Sequence, residues 1–159
     1  ENKIPCLGLS DTSNLCGALE FAENISKVGT QPIIGTQIHF RFEDTTGLLP
    51  LIALNEKGYK RIIELSSRSY LENDALSDPH LDIKELLSDM EGVSLLSGTI
   101  QGLFGRLFEK GRLEEITKIY NSLSSNFQDR FYLEIQRHGD QNEIAFEKFN
   151  LEQSFKKKI

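Results

Sequence analysis

The chain has 159 residues, 38% hydrophobic and 26% charged, with a net charge of -6 and a pI near 5.1. That length supplies one domain with a real core, and the acidic balance argues against a broad basic surface for gripping nucleic acid. Two cysteines without a Cys-x-x-Cys pair exclude a disulfide framework and suit a reduced, cytoplasmic setting, while no apolar run approaches a membrane span and no signal peptide is visible.

Residues 4–10 read as an apolar strand containing Cys6, with Asp11 and Thr12 at its end. Residues 13–28 read as a helix: Ser13 can cap it, Cys16 falls in its first turn, Leu15, Ala18, Leu19 and Ala22 return at helical spacing, and Gly29 stops it. An extended stretch follows over 31–42, started by Pro32 and interrupted by Gly35. A five-residue turn at 43–47 leads to a strand over 48–54, so the two could form a hairpin. Pro50 marks that second strand as near its start or at an edge. Residues 55–71 form a helix with Tyr59, Ile62, Ile63 and Leu65 toward the core, followed by a polar loop over 72–80.

Asp82 or a neighbour caps a short helix ending at Leu87. Strands over 92–97 and 130–136 flank helices over 100–109 and 113–123, the latter with Ile116, Ile119, Tyr120 and Leu123 on one face. His138-Gly139-Asp140 is a turn. A last helix over 143–158 carries Ile144, Phe146, Phe149, Leu151 and Phe155. Alternation of strand and helix predicts a single α/β domain with a largely parallel sheet or a barrel of β/α units. The chain opens on Glu1 with a strand almost at once and closes on Lys-Lys-Lys-Ile, so it reads as an internal segment of a longer protein.

The chemical signals are sparse. Neither a dinucleotide fingerprint nor a phosphate-binding P-loop occurs, and Gly98, Gly102 and Gly105 suit a tight strand-to-helix turn. Of the three histidines, His80 lies in a polar loop, His39 in an extended segment, and His138 just past a strand, where it is best placed for a site. Asp11, Asp140 and Glu134 fall near strand ends. Asp11 also fits a side-chain turn or a helix cap. Lys156-Lys157-Lys158 reads as a solvated helix face.

Five segments, LGLSDTSNLCGALEFA, QPIIGTQIHF, LPLIALNEKGYKRIIELSSRSYL, GVSLLSGTIQGLFGRLFEKG and FYLEIQRHG, in this order resemble the PHP (polymerase and histidinol phosphatase) domain of bacterial replicative DNA polymerase III alpha subunits, the family C polymerases. The resemblance covers nearly the whole of residues 1–159 and implies a distorted, TIM-barrel-like β/α barrel. The barrel would be incomplete here, because the family's first strand, with a His-x-His motif, would lie before Glu1 and a later ligand-bearing strand after Ile159. Active members carry metal ligands at positions matched by Thr12, Gln37, Leu48 and Thr99. A carboxamide, an aliphatic group and two hydroxyls cannot replace the imidazoles, carboxylates and thiolates of a multi-ion Zn²⁺ or Mn²⁺ centre. Asp11 and His138 remain as polar groups at the mouth.

The resemblance therefore implies a segment with no metal, no cofactor and no catalytic residue of its own. It would act as a scaffold that packs on the polymerase body and docks the proofreading exonuclease (epsilon) subunit. DNA, deoxynucleotides and the Mg²⁺ of nucleotidyl transfer would belong to a palm domain outside this chain. The competing expectation is a metal-dependent phosphoesterase or 3′–5′ exonuclease using Asp11, His39, His138 and ligands beyond the two ends.

Overall fold

The computed structural model describes residues 4–74 and 76–157, with side chains described as far as Ser154. Phe155 and the lysine cluster at 156–158, expected on the last helix, lie outside the described side chains.

The chain begins with β1 (Cys6–Thr12), α1 (Ala18–Lys27), β2 (Gln31–Phe42), β3 (Thr45–Ala53) and α2 (Glu56–Leu71). A short β4 (Leu81–Asp82) leads into a 3-10 segment (Ile83–Leu87), then β5 (Val93–Leu96), α3 (Leu103–Glu109) and α4 (Leu113–Phe127). A second 3-10 turn precedes β6 (Phe131–Tyr132), and α5 (Gln141–Lys157) follows. The strands form one mixed sheet in the order β1-β2-β3-β5-β6, with β4 added beside β2. The β1–β2, β2–β4 and β5–β6 pairs are parallel. The β2–β3 hairpin and the β3–β5 pair are antiparallel.

The sheet is open. The expected barrel does not close among the described residues, because β1 and β6 each have a ladder on one side only and do not meet. β1 is accordingly a poorly covered edge: Leu7 is 43% exposed, and Cys6 is a free, exposed thiol. No helix among the described residues is long and apolar enough to cross a membrane.

Local chemistry explains where the elements begin and end. Asn55 caps α2 by accepting from the Gly58 N–H at 2.9 Å, and Asp82 caps the 3-10 segment by accepting from the Lys84 N–H at 2.8 Å. Gly29 takes a left-handed φ of 76° past the end of α1. α1 starts later than its apolar spacing suggests, and Ser13 is not its cap. Ser13 is itself left-handed, at φ 59°. Asn14 builds a turn instead, accepting from the Cys16 N–H at 2.9 Å. Pro50 sits inside β3, not at its start. β3 pairs with β5 only from Leu51 onward, so the proline nitrogen lies just beyond that ladder.

The core lies on one face of the hairpin. Ile38 and Phe40 of β2 and Leu49 and Leu51 of β3 are fully buried with Ile62 and Leu65 of α2, Phe104 of α3 and Tyr120 of α4. Ile63 is 41% exposed, because the buried face of α2 runs through Gly58, Ile62, Leu65 and Ser69. On α5, Phe146 is buried while Ile144 and Leu151 remain at the surface.

Candidate functional site

Residues alternate across a strand, so the face of the hairpin opposite the core carries Gln37 and His39 of β2 and Leu48 and Pro50 of β3. In the ladder Gln37 stands opposite Pro50 and His39 opposite Leu48. Gln37, Leu48 and Pro50 line a cleft of about 520 Å³. The turn after β5 closes one wall with Gly98, Thr99 and Gln101, and the extended segment after β6 closes another with Glu134, Gln136 and His138. Gly98 makes its sharp turn with a left-handed φ of 74°.

Several of the sequence positions at issue fall around this one cleft. Gln37, Leu48, Thr99 and His138 line it directly. Thr12 is the last residue of β1 and the ladder partner of Gln37. Asp11 belongs elsewhere. Ser10 lines the cleft, so Asp11 faces the other side of β1, with its carboxylate against Gly17. The Thr36 hydroxyl fastens this corner by donating to Asp11 O at 2.8 Å and to Asn14 O at 2.9 Å.

His39 is half-buried outside the cleft lining, with its Nδ1 3.4 Å from the Ser13 hydroxyl. Burial, and then the charge of Arg106, hold its pKa below the ordinary imidazole value. His80 is half-buried, with Nδ1 2.8 Å from Asp78 O. Asp140 caps α5, accepting from the Asn142 N–H at 2.8 Å.

Within the cleft, His138 and Glu143 hold each other. His138 places Nδ1 2.9 Å from Glu143 Oε1, and its backbone N–H donates to Glu143 Oε2 at 2.9 Å. That partner keeps the Glu143 carboxyl below the usual range. Glu134 is half-buried, and burial pushes its carboxyl up, opposed by a hydrogen bond from Gln136 Nε2 at 3.1 Å. Its backbone N–H donates to the Ser97 hydroxyl at 2.9 Å, which holds the segment against β5.

Among the described residues, no three His, Cys, Asp or Glu side chains come together so as to hold a metal ion. Gln37, Leu48 and Thr99 offer a neutral carboxamide, a hydrocarbon and a hydroxyl. His138 is engaged by Glu143. This donor set does not fit a multi-ion centre. Gln101, Gln136 and Glu143 were not singled out from the sequence. Gln136 carried a signal in the two-residue period it shares with Glu134 and His138, and Glu143 in the Asp140-x-x-Glu143 capping pattern.

Residues 1–138 match the family model described as PHP domain. The DNA polymerase III subunit alpha of Caulobacter vibrioides is 37% identical over 156 residues, covering 92% of this chain and 14% of that protein. The same subunit from Vibrio cholerae is 33% identical, covering 94% of this chain and 13% of that protein. The subunit from Rickettsia felis is 36% identical over 138 residues. The chain thus spans only a small part of the length of these relatives. Among solved structures, a protein of Bifidobacterium adolescentis described as a metal-dependent phosphoesterase matches with a TM-score of 0.50 and 11% identity, over 96% of this chain and 74% of that one.

Proposed function

The chain belongs to the PHP domain family, and on that premise we propose that it is the PHP domain of a bacterial replicative DNA polymerase alpha subunit, without chemistry of its own. One observation carries this reading. Gln37, Leu48 and Thr99 line a single cleft, with Thr12 beside Gln37 in the sheet, and none of them is a good ligand for Zn²⁺ or Mn²⁺. Four ligands clustered without a metal would repel one another or stay unsatisfied, and neutral side chains remove that cost.

The parent would be a cytoplasmic, DNA-directed DNA polymerase that extends a primer with deoxynucleotides. Its Mg²⁺-binding carboxylates would sit in a palm domain, not in this cleft. The domain's task would be structural: to pack on the polymerase body and to dock the proofreading exonuclease subunit. Both tasks need shape and surface and no metal.

The test is a 3′–5′ exonuclease and phosphoesterase assay on the full-length subunit, supplied with Mn²⁺ or Zn²⁺. The expected result is no activity above a Gln37→Ala, Thr99→Ala control, with primer extension intact and the exonuclease subunit co-purifying. Metal-dependent turnover lost in that control would overturn the silent reading. Failure to bind the exonuclease subunit at micromolar concentration would overturn docking.

A further inference from the structure

The cleft at the hairpin carries an imbalance of charge. Its lining holds two carboxylates, Glu134 and Glu143, and no Lys or Arg. Glu143 is satisfied by His138. Glu134 is not: half-buried, it accepts one hydrogen bond, from the Gln136 carboxamide, and has no cationic partner among the described residues. Basic side chains close by in the fold are taken up elsewhere. Arg106 donates to Gln101 O at 3.1 Å and to Thr46 O at 2.8 Å, and Arg137 pairs with Glu147. A half-buried carboxylate left without a cation is costly.

Neutral acceptors surround this charge. The carboxamides of Gln37, Gln101 and Gln136 line the same cleft, and those of Gln37 and Gln101 have no hydrogen-bond partner among the described residues. The rest of the wall is apolar, built from Leu48, Pro50, Ile52, Leu96 and Ile100. At about 520 Å³ the cleft is of a size that takes a small ligand.

These properties select the occupant. Phosphates and carboxylates would meet Glu134 with no base to offset the repulsion. A metal ion lacks its ligands, since no three His, Cys, Asp or Glu side chains converge among the described residues. An ammonium group is compact and strongly hydrated, so it loses much of its water against apolar walls. A guanidinium is planar and more weakly hydrated, and its N–H donors form a fixed fork. Two of them can meet one carboxylate side by side while others reach carboxamide oxygens. The aliphatic stem behind it suits the apolar wall.

We propose that the cleft is a guanidinium-binding site, with Glu134 as its anionic anchor and Gln37, Gln101 and Gln136 as neutral acceptors. The ligand comes from outside the chain, as a small guanidinium compound or as an arginine side chain of another polypeptide. The site shares with the proposed function the premise that no metal ion fills the cleft. Ions found there would overturn that premise, whereas a failed titration of a metal-free cleft overturns the guanidinium site alone.

The test titrates n-butylguanidinium against the full-length subunit by ligand-observed NMR, with excess Mg²⁺ to occupy carboxylate sites elsewhere. Saturable binding at about 1 mM or tighter is expected, with n-butylammonium, equal in charge, about tenfold weaker. Glu134→Gln should weaken n-butylguanidinium by about tenfold or more, with a cooperative melting curve showing that the variant folds. If it does not fold, the double change Gln37→Leu, Gln101→Leu is read in its place and should weaken binding by about threefold or more. A Gly-Arg-Gly peptide blocked at both ends distinguishes the sources. Tighter binding than n-butylguanidinium assigns the site to a polypeptide's arginine, and weaker binding assigns it to a free small cation. No saturation, equal affinity for the two butyl cations, or an affinity unmoved by the folded variant would overturn the inference.

Discussion

Glu134 is the residue on which the cleft's electrostatics turn. Burial raises its carboxyl pKa, so the folded state favours the protonated form more than the unfolded chain does. The stability it contributes is therefore present below the ordinary glutamate pKa and is lost as pH rises through the folded value. Glu134→Gln, which keeps the shape and removes the charge, should raise the melting temperature at neutral pH and leave it nearly unchanged at acid pH. Carboxyl NMR should find the Glu134 midpoint above that of exposed glutamates.

A second residue-scale case lies in the core. The buried Tyr120 hydroxyl donates to Asn150 Oδ1 at 3.1 Å, and Asn150 Nδ2 is buried with no hydrogen-bond partner among the described residues. Tyr120→Phe should cost about 1–2 kcal/mol in denaturant unfolding, since it strands a second Asn150 atom. Of these two sites, the sequence pattern revealed the buried face that holds Tyr120, but not the burial of Glu134. The segment 130–136 alternates like a strand, yet only Phe131 and Tyr132 join the sheet. Burial there depends on Ser97, 37 residues away, and on how α5 folds back beside Glu134, which periodicity does not reveal.

At the level of elements, α2 meets the loop before β5 by direct backbone contact. A Cβ at Gly58 would lie 1.8 Å from Gly92 O, and Gly92 itself is left-handed at φ 74°. Gly58→Ala should lower the local stability of α2 by about 2 kcal/mol or more. Asn55→Ala, which removes only the cap, should cost about 1 kcal/mol. Hydrogen exchange of the α2 amides in the intact protein separates the two.

Local signals explain why most elements were legible. The β2–β3 hairpin announced itself by two apolar runs around a short turn, and α2 and α4 by their apolar faces. β4 did not, because two residues carry no periodicity, and it exists through pairing with Phe40 and Arg41. The start of α1 was misplaced because Asn14, not Ser13, organises the turn after β1. Gln37, Leu48 and Thr99 could be named as a set only through the family resemblance. They come from three separate segments, and no spacing rule joins them. His138, just past a strand end, lines the cleft, whereas Asp11 faces the other side of its strand.

Over the whole molecule, an open sheet carries a polar cleft on one side of the hairpin and a packed core on the other. The chain covers 14% of the Caulobacter polymerase subunit it resembles, and its edges β1 and β6 have no outer partner among the described residues. An open edge favours intermolecular pairing, so this 159-residue segment expressed by itself should self-associate, read by light scattering, more than the full-length subunit does. The chemistry of the cleft decides whether this domain has an activity of its own. Elemental mass spectrometry of the full-length subunit, purified without chelator and equilibrated with Zn²⁺ and Mn²⁺, counts the ions it keeps. The prediction is less than about 0.1 tightly held ion per chain assignable to this domain, unchanged by Gln37→Ala. Two or more ions per chain, lost on that substitution, would contradict it.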